Sequence, residues 1–457
     1  MYTPNPRNRL DALLPKTMHL NTRSIVFAAF TYNEPRSEDV YSRDEYSRDS
    51  RRWGNYSYDF DEIIQCEFLE FFTNLHTLAF RGMSLPRETY EVISRLKNLR
   101  TLTIVNGALP ACEQDDRNLL SGLQLDALHL GGNCWRGSSL SFVIPQQLTL
   151  LPTIRVLKTD WNTETALFFG RAIWGVDEVT AQSSIRVLST WNVRPRMVLD
   201  LEHVELTTRT RKEWDNSSDY LTQDLPLWSI HLLTFLRSCS HTLKRLVIDG
   251  YMSDFGPDVS LELPQLSSYK GPLDLLTAFV APSLEDMELT DGEVAEDINI
   301  PRIIDHLRCV PNPLRVTKLH IIVESINLEL LDTIRDRLKR LEELRIQVLK
   351  RDSILELVPG MGKSHLSHLS RLRVLHVYDV HARYIMNGPV DKYWVMLPAD
   401  IRYTRRIQEH VVLEVWKDFT PSLREVRFSL LIFKRENEQA RWSFDTTKPF
   451  YRRYSES

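Results

Sequence analysis

One short pattern recurs through the chain and limits the folds that it can adopt. In the stretch LQLDALHLGGNCW, the residues Leu125, Leu128, Leu130 and Asn133 have the L-x-x-L-x-L-x-x-N spacing of a leucine-rich repeat. Residues two apart on a strand face the same way, so Leu128 and Leu130 point to one side, and we expect Asn133 to bond to the backbone in the turn. A single unit has no second layer against which to bury its leucines. It must therefore stack on copies of itself.

Looser copies of this unit run through nearly the whole chain. Their first two apolar positions are Leu75 and Leu78, Leu99 and Leu102, Ile154 and Leu157, Ile185 and Leu188, Leu243 and Leu246, Leu284 and Met287, Val316 and Leu319, Leu341 and Leu344, Leu372 and Leu375, and Leu423 and Val426. Leucine-rich repeats are usually about 20–29 residues long. The wider steps here predict insertions, or degenerate units such as Leu201 to Leu206 and Leu266 to Tyr269.

Helical periodicity fills several of the intervals between the predicted strands. Helices are predicted at Asp59 to Phe72, Thr89 to Leu96, Ser229 to Ser238 and Asn327 to Leu338, and a first strand at Asn21 to Phe30. This alternation predicts an α/β fold, an irregular leucine-rich-repeat solenoid in which a curved parallel sheet is backed by helices. We expect one solenoid over residues 1–457. Residues 429–457 would be its cap and tail, with a closing hairpin that turns at Lys434 to Gln439.

Two segments interrupt the repeats. Residues 33–58 are rich in Tyr, Ser, Arg and Asp and contain YSRD twice, which is typical of a mobile, solvated insertion loop. Contact with RNA and phosphorylation are the alternatives for such a loop. The second segment, Lys392 to Trp416, predicts a long insertion or a helix between two repeats.

Composition and charge exclude several classes of protein. The chain is 42% hydrophobic and 26% charged with a net charge of −4, which is ordinary for a folded chain and leaves no basic footprint for nucleic acid or an anionic membrane. Its five cysteines include no C-x-x-C pair, which favours a reducing compartment. No apolar run approaches the ~20 residues of a membrane span. We therefore expect a cytoplasmic or nuclear monomer that binds neither nucleic acid nor membrane.

Catalytic motifs are weak in this sequence. The segment LVPGMGKS at 357–364 ends like a phosphate-binding loop, but Leu357 stands where the first glycine of G-x-x-x-x-G-K-[ST] belongs. His365, His368 and His376 suggest metal ligands, but no acidic or cysteine ligand has a supporting spacing, so a polar helix end and a strand position are the simpler interpretation. We predict no enzyme, cofactor or metal site. A nucleotide- or small-molecule-binding enzyme that uses the 357–364 loop is the alternative.

Several units resemble a known group of proteins. FTNLHTLAF, LKNLRTLTI, APSLEDMEL and TPSLREVRF, with the terminal ARWSFD, look like the divergent repeats of fungal F-box proteins. In that group an F-box module recruits a ubiquitin-ligase core through a small linker subunit, and the repeats hold the substrate. Leu14 and Pro15 match the leucine-proline opening of the module. No glutamate follows where the motif has one, and strand-like sequence begins by about Ser24, so the F-box itself is not recognisable.

The repeat also predicts which residues face a partner. The residue between the second and third apolar positions of each unit points away from the helices, onto the concave face. In order these residues are Ala79, Thr103, His129, Lys158, Ser189, Val247, Glu288, His320, Arg345, His376 and Arg427. The late ones are mostly basic or histidine, with Gln347 and Tyr378 beside them, and suit an acidic or phosphorylated protein ligand. The predicted binding face is therefore His320, Arg345, Gln347, His376, Tyr378 and Arg427, and an ordinary solvated sheet face is the alternative.

Overall fold

The computed structural model describes most of the repeats and leaves other segments of the chain undescribed. The described residues are 22–28, 69, 71–82, 85, 87–105, 119–132, 148–149, 151–161, 165, 168–169, 197–208, 225–250, 260–290, 300–349, 365–379, 421–428 and 431–444. The chain divides into two compact units, Met1–Thr207 and Thr208–Ser457.

The first unit is built on a parallel sheet in chain order. Its strands are β1 (Ser24–Ala28), β2 (Thr77–Arg81), β3 (Thr101–Val105), β4 (Ala127–Gly131), β5 (Val156–Asp160) and β6 (His203–Thr207), and each pairs with the next. Helix α1 (Arg87–Arg95) connects β2 to β3. The predicted first strand is confirmed as β1, where Phe27 stacks on Phe80 of β2 with ring centroids 5.4 Å apart.

The second unit continues the same arrangement with more helices. Its strands are β7 (Arg245–Asp249), β8 (Leu261–Glu262), β9 (Ser268–Gly271), β10 (Phe279–Val280), β11 (Asp286–Leu289), β12 (Lys318–Val323), β13 (Glu343–Val348), β14 (Val374–Asp379), β15 (Glu425–Phe428), β16 (Leu431–Lys434) and β17 (Ser443–Phe444). Its helices are α2 (Leu225–Ser238), α3 (Leu273–Thr277), α4 (Ile300–Cys309), α5 (Leu328–Arg337) and a 3-10 turn, Leu366–His368. The sheet runs in the order β7, β9, β11 to β17, parallel as far as β15, while β8 and β10 form a small parallel pair of their own.

The leucine pattern supplies the core of both units. The first apolar position of each described repeat is at most 2% exposed, and these residues are Leu75, Leu99, Leu125, Ile154, Leu201, Leu243, Leu266, Leu284, Val316, Leu341, Leu372 and Leu423. Burying a side chain of this size stabilises the fold by about 1.5–3 kcal/mol. The mostly parallel strands and their buried leucines confirm the predicted α/β leucine-rich-repeat architecture.

A recurring backbone bend sets the register of the strands. Two successive N–H groups at the start of a strand donate to one carbonyl oxygen of the preceding repeat, as when Glu342 N and Glu343 N lie 2.7 and 3.0 Å from Thr317 O. The carbonyls that accept two such bonds belong to Arg23, His76, Arg100, Asp126 and Arg155 in the first unit, and to Lys244, Ser267, Glu285, Thr317, Glu342 and Arg373 in the second. Each strand that begins with this bend is therefore aligned on its neighbour before its first ladder hydrogen bond.

One of the degenerate units forms the strand that follows β5. β5 pairs directly with β6, which belongs to the unit predicted at Leu201 to Leu206. Val204 and Leu206 of this unit are fully buried. The unit predicted at Ile185 to Ser189 lies outside the described residues, as do the segments 33–58, 357–364 and 392–416.

The helices begin and end close to their predicted bounds. α5 starts one residue after Asn327, whose Oδ1 accepts hydrogen bonds from Glu329 N at 2.6 Å and Leu330 N at 3.2 Å. This is the N-cap arrangement that Asn favours. α2 begins four residues before the predicted Ser229. Most of the helix predicted at Asp59 to Phe72 lies outside the described residues.

An antiparallel hairpin, β16 and β17, follows the last parallel strand. Between these two strands Arg435, which is 7% exposed, turns back onto the sheet. Its Nε donates to Leu423 O at 2.6 Å and its Nη2 to Pro421 O at 2.9 Å. The guanidinium carbon lies 4.7 Å from the ring centroid of Trp442. Arg435 thus satisfies carbonyls at the start of β15.

Candidate protein-binding face

The side chains that alternate with the buried leucines of Thr208–Ser457 define one surface, which we call the open face. Strand pairing brings one residue from each strand into a row across this face. We call this the middle row, and it consists of Val247, Lys270, Glu288, His320, Arg345, His376 and Arg427. Neighbouring members are about 4.8 Å apart, because that is the spacing of paired strands.

The structure brings the six predicted site residues together. Four of them, His320, Arg345, His376 and Arg427, lie on consecutive strands in the middle row. Gln347 and Tyr378 pair with each other two residues further along β13 and β14. The chain therefore assembles a contiguous patch from residues more than 100 positions apart in sequence.

The exposure of these residues differs from the outward-pointing arrangement that the repeat predicts. The Arg345 side chain is 45% exposed, but that of His320 is only 18% exposed. Gln347 and His376 are buried, at 3% and 8% exposed. Arg345 is thus the most accessible of these four, and contact with Gln347 or His376 is limited to a small part of each side chain.

Carboxylates accompany the basic residues, and the sequence analysis missed all but one of them. Glu288 lies 2.9 Å from Lys270 Nζ and 3.2 Å from His320 Nδ1. Burial alone raises its pKa, but hydrogen bonds from His320 and Lys270 prevail and lower the pKa of Glu288 to about 2. Glu288 is therefore ionised at every physiological pH and holds its two neighbours in place.

A second cluster of the same kind lies at the other end of the middle row. Glu425 Oε1 is 2.8 Å from His376 Nε2, and Glu425 Oε2 is 3.5 Å from Lys434 Nζ. The hydrogen bond from His376 lowers the pKa of Glu425. Burial lowers the pKa of His376, and the positive charges of Arg345 and Arg427 lower it further, against the opposing effect of Glu425.

These carboxylates add acidic groups to the mostly basic patch that the repeat predicts. Arg345 Nη2 contacts Glu343, the residue two positions earlier on the same strand. Glu425 likewise lies two positions before Arg427. Since residues two apart on a strand share a face, inspection of these positions in each repeat would have identified both acids. The patch thus combines the exposed Arg345 with paired acids.

The open face of the first unit has a different chemistry. On β2 and β3 the corresponding residues, Ala79 and Thr103, are small and neutral. On β5 and β6 they are Lys158 and Glu205, which form an ion pair. Glu205 occupies the place that the repeat pattern assigned to Ser189. His129 lies beside this pair. Burial lowers the pKa of His129, and the positive charge of Lys158 lowers it further. The open face of the second unit therefore carries more charged residues than that of the first.

Two of the histidines considered as metal ligands have carboxylate partners. His365 Nδ1 lies 2.9 Å from Asp332 Oδ1, whereas His376 pairs with Glu425, so the two histidines serve different carboxylates. No three metal-binding side chains converge among the residues that the structure describes. No helix among the described residues is both long enough and apolar enough to cross a membrane.

Comparison with known proteins finds similarity at the level of structure alone. No family model and no curated protein matches the sequence. A protein from Bacteroides fragilis aligns with 14% identity and a TM-score of 0.32 over 61% of this chain and 76% of that chain. An internalin from Listeria monocytogenes aligns with 12% identity and a TM-score of 0.28 over 67% of this chain and 75% of the internalin chain. The structure of the Toll–Spatzle complex from Drosophila aligns with 11% identity and a TM-score of 0.33 over 80% of this chain and 42% of the matched chain.

Proposed function

We propose that the chain is a protein-recognition scaffold and that its partner binds the open face of Thr208–Ser457. The observation that carries this proposal is the middle row, in which parallel strands present His320, Arg345, His376 and Arg427 side by side. A repeat sheet of this kind offers an extended, rigid surface rather than a closed pocket, which suits a protein ligand. Rigid strands also fix the relative positions of contact residues before the partner arrives.

The partner that fits this surface carries an acidic or phosphorylated segment. Within the described part of the chain, Arg345 contacts a single carboxylate through Nη2, which leaves its other donors for a ligand. Charged acceptors bind guanidinium groups bidentately and strongly, and Arg427 adds a second guanidinium two strands away. Electrostatic complementarity of this kind accelerates association and favours anionic partners over others.

The proposed biological role is that of a substrate receptor in an F-box-like ubiquitin-ligase adaptor. The resemblance of the repeat units to those of fungal F-box proteins supports this role. The thiols of Cys239 and Cys309 are free, as expected of a cytoplasmic or nuclear protein. The structure positions both cysteines in the second unit, where neither has a cysteine partner among the described residues.

Affinity capture with mass spectrometry tests both levels of this proposal. We expect the linker subunit of a ubiquitin ligase among the captured proteins, together with a substrate that carries an acidic or phosphorylated segment. Replacing Arg345 and Arg427 together by Gln should reduce substrate capture at least tenfold, because two charge-assisted contacts are lost. Capture of the linker subunit should not change.

The matched control is Lys158→Gln, which removes a cation from the open face of the first unit. This variant should retain the substrate. If it loses the substrate while the double variant keeps it, the binding face lies in Met1–Thr207. Recovery of a substrate without any ligase subunit would reject the adaptor role but leave protein recognition in place.

A further inference from the structure

We infer that binding of an acidic protein segment at Arg345 and Arg427 is coupled to the uptake of one proton by His376. This inference rests on the proposed function and adds its regulation: partner capture would strengthen as the solution is acidified. It follows from the position of His376 between the two guanidinium groups and from its hydrogen bond to Glu425.

The surroundings of His376 are defined on both sides. Register places Arg345 on the strand before it and Arg427 on the strand after it, each about 4.8 Å away in the direction of the hydrogen bonds. His376 therefore occupies the centre of the site that an anionic ligand would cover. The charged residues that face it or its carboxylate partner are Arg345 and Glu343 on β13, Arg427 and Glu425 on β15, and Lys434 on β16.

The hydrogen bond to Glu425 fixes which ring nitrogen carries the proton. Glu425 is ionised and can only accept, so the His376 Nε2 that lies 2.8 Å from it is the N–H donor. In the neutral ring Nδ1 then holds a lone pair. Because burial and the two arginines lower the pKa of His376, the ring is neutral at pH 7 in the free protein.

An anionic ligand reverses this balance. A carboxylate seated between Arg345 and Arg427 offsets their positive charge and brings a negative charge close to the ring, so the pKa of His376 rises in the complex. Protonation gives the ring a net positive charge and converts Nδ1 from an acceptor into a donor. By linkage, a group that binds a proton more tightly in the complex makes the complex tighter as the pH falls.

The test uses hexaglutamate as the probe, because its side chains stay ionised between pH 8 and 6, given the ordinary glutamate pKa of about 4.3. Isothermal titration calorimetry of the full chain, in buffers with different ionisation enthalpies, counts the protons taken up. We expect uptake of between half a proton and one proton near pH 6.5, and binding about 3- to 10-fold tighter at pH 6 than at pH 7.5. Nuclear magnetic resonance of labelled histidine should show the titration midpoint of His376 moving upward when hexaglutamate is added.

Two variants separate the possible outcomes. His376→Gln keeps a donor for Glu425 but cannot titrate, so the pH dependence of binding should disappear whatever the affinity of the variant. In Arg345→Gln with Arg427→Gln, hexaglutamate should no longer move the His376 midpoint. Binding to the wild-type chain without proton uptake would overturn the coupling and leave the proposed function standing. Absence of binding at both pH values would reject recognition of acidic segments, and the coupling with it.

Discussion

Burial of single polar residues in this chain lowers its stability in ways that the leucine pattern does not predict. Gln347 is 3% exposed, and its Oε1 has no hydrogen-bond partner within the described structure. A buried polar atom without a partner costs about 1–3 kcal/mol. The position alternates with buried apolar residues, so sequence alone predicts a solvated side chain there. Its burial depends on neighbours that are distant in sequence and was not predictable from the repeat.

Gln347→Met should therefore stabilise the protein. Methionine matches the length of glutamine and needs no hydrogen bond, so we expect the free energy of unfolding to rise by about 1 kcal/mol in urea denaturation. A loss of stability of similar size would show that the amide is satisfied in solution. The variant also tests whether Gln347 contributes to partner binding, since capture should weaken if it does.

His231 should make stability depend on pH. It lies in α2, is 8% exposed, and neither ring nitrogen has a partner among the described residues. Burial lowers the pKa of His231, so the unfolded chain binds this proton more readily than the folded one. Stability is then full above the ordinary histidine pKa of about 6.5 and is lost as the pH falls below it.

Replacing His231 by Leu removes this titration and keeps a good helix former of similar size. We expect thermal melts of His231→Leu to lose less between pH 8 and pH 5 than those of the wild type. Equal losses in the two proteins would assign the acid sensitivity to other groups, such as the half-buried His129.

At the scale of elements, the sequence predicts strands wherever the spacing of apolar residues is intact. The pattern identifies β9 only as a degenerate unit, because Gly271 stands at the third apolar position and Tyr269 at the second. A Cβ on Gly271 would come within 2.7 Å of Tyr269 Oη, so the tyrosine ring fills the space that a third apolar side chain takes elsewhere. Tyr269 is fully buried, and its hydroxyl donates to Pro272 O at 2.7 Å. One large residue thus replaces two, and a pattern of leucines does not anticipate that exchange.

The start of α5 offers a test of how much one cap contributes. Asn327→Ala removes the acceptor of two backbone N–H groups and should lower the free energy of unfolding by about 1 kcal/mol. Asn327→Asp is the matched control, because aspartate caps helices as well as asparagine. If both variants unfold at the wild-type urea concentration, the cap is not limiting for stability.

At the scale of the whole molecule, the ion pairs of the open face were the hardest feature to predict from the sequence. The repeat identified every member of the middle row except Lys270, because their spacing is local. The pairing of Glu288 with Lys270 and His320, and of Glu425 with His376, joins residues up to 49 positions apart in sequence. Such pairs depend on strand register across the sheet, which one repeat does not contain.

A stack of repeats also needs its last strand protected, which gives a prediction for the C-terminal end. Arg435→Gln should destabilise the chain by about 1.5–3 kcal/mol, since a buried charged donor to Leu423 O and Pro421 O is lost. Because repeats contact mainly their neighbours, hydrogen exchange should quicken in β15 to β17 and stay unchanged in β1 to β6. The exposed Arg441 provides the control: Arg441→Gln should exchange like wild type at both ends.

The shared carbonyl bends make the register of a strand independent of the length of chain that precedes it. β14 and β15 are separated by 45 residues and still pair residue for residue, because Arg373 O receives both Arg424 N and Glu425 N. The connections between repeats are therefore free to lengthen, shorten or change composition without misaligning the sheet. For protein engineering, a foreign peptide or domain could be inserted between two bends without shifting the strands that present the proposed binding face.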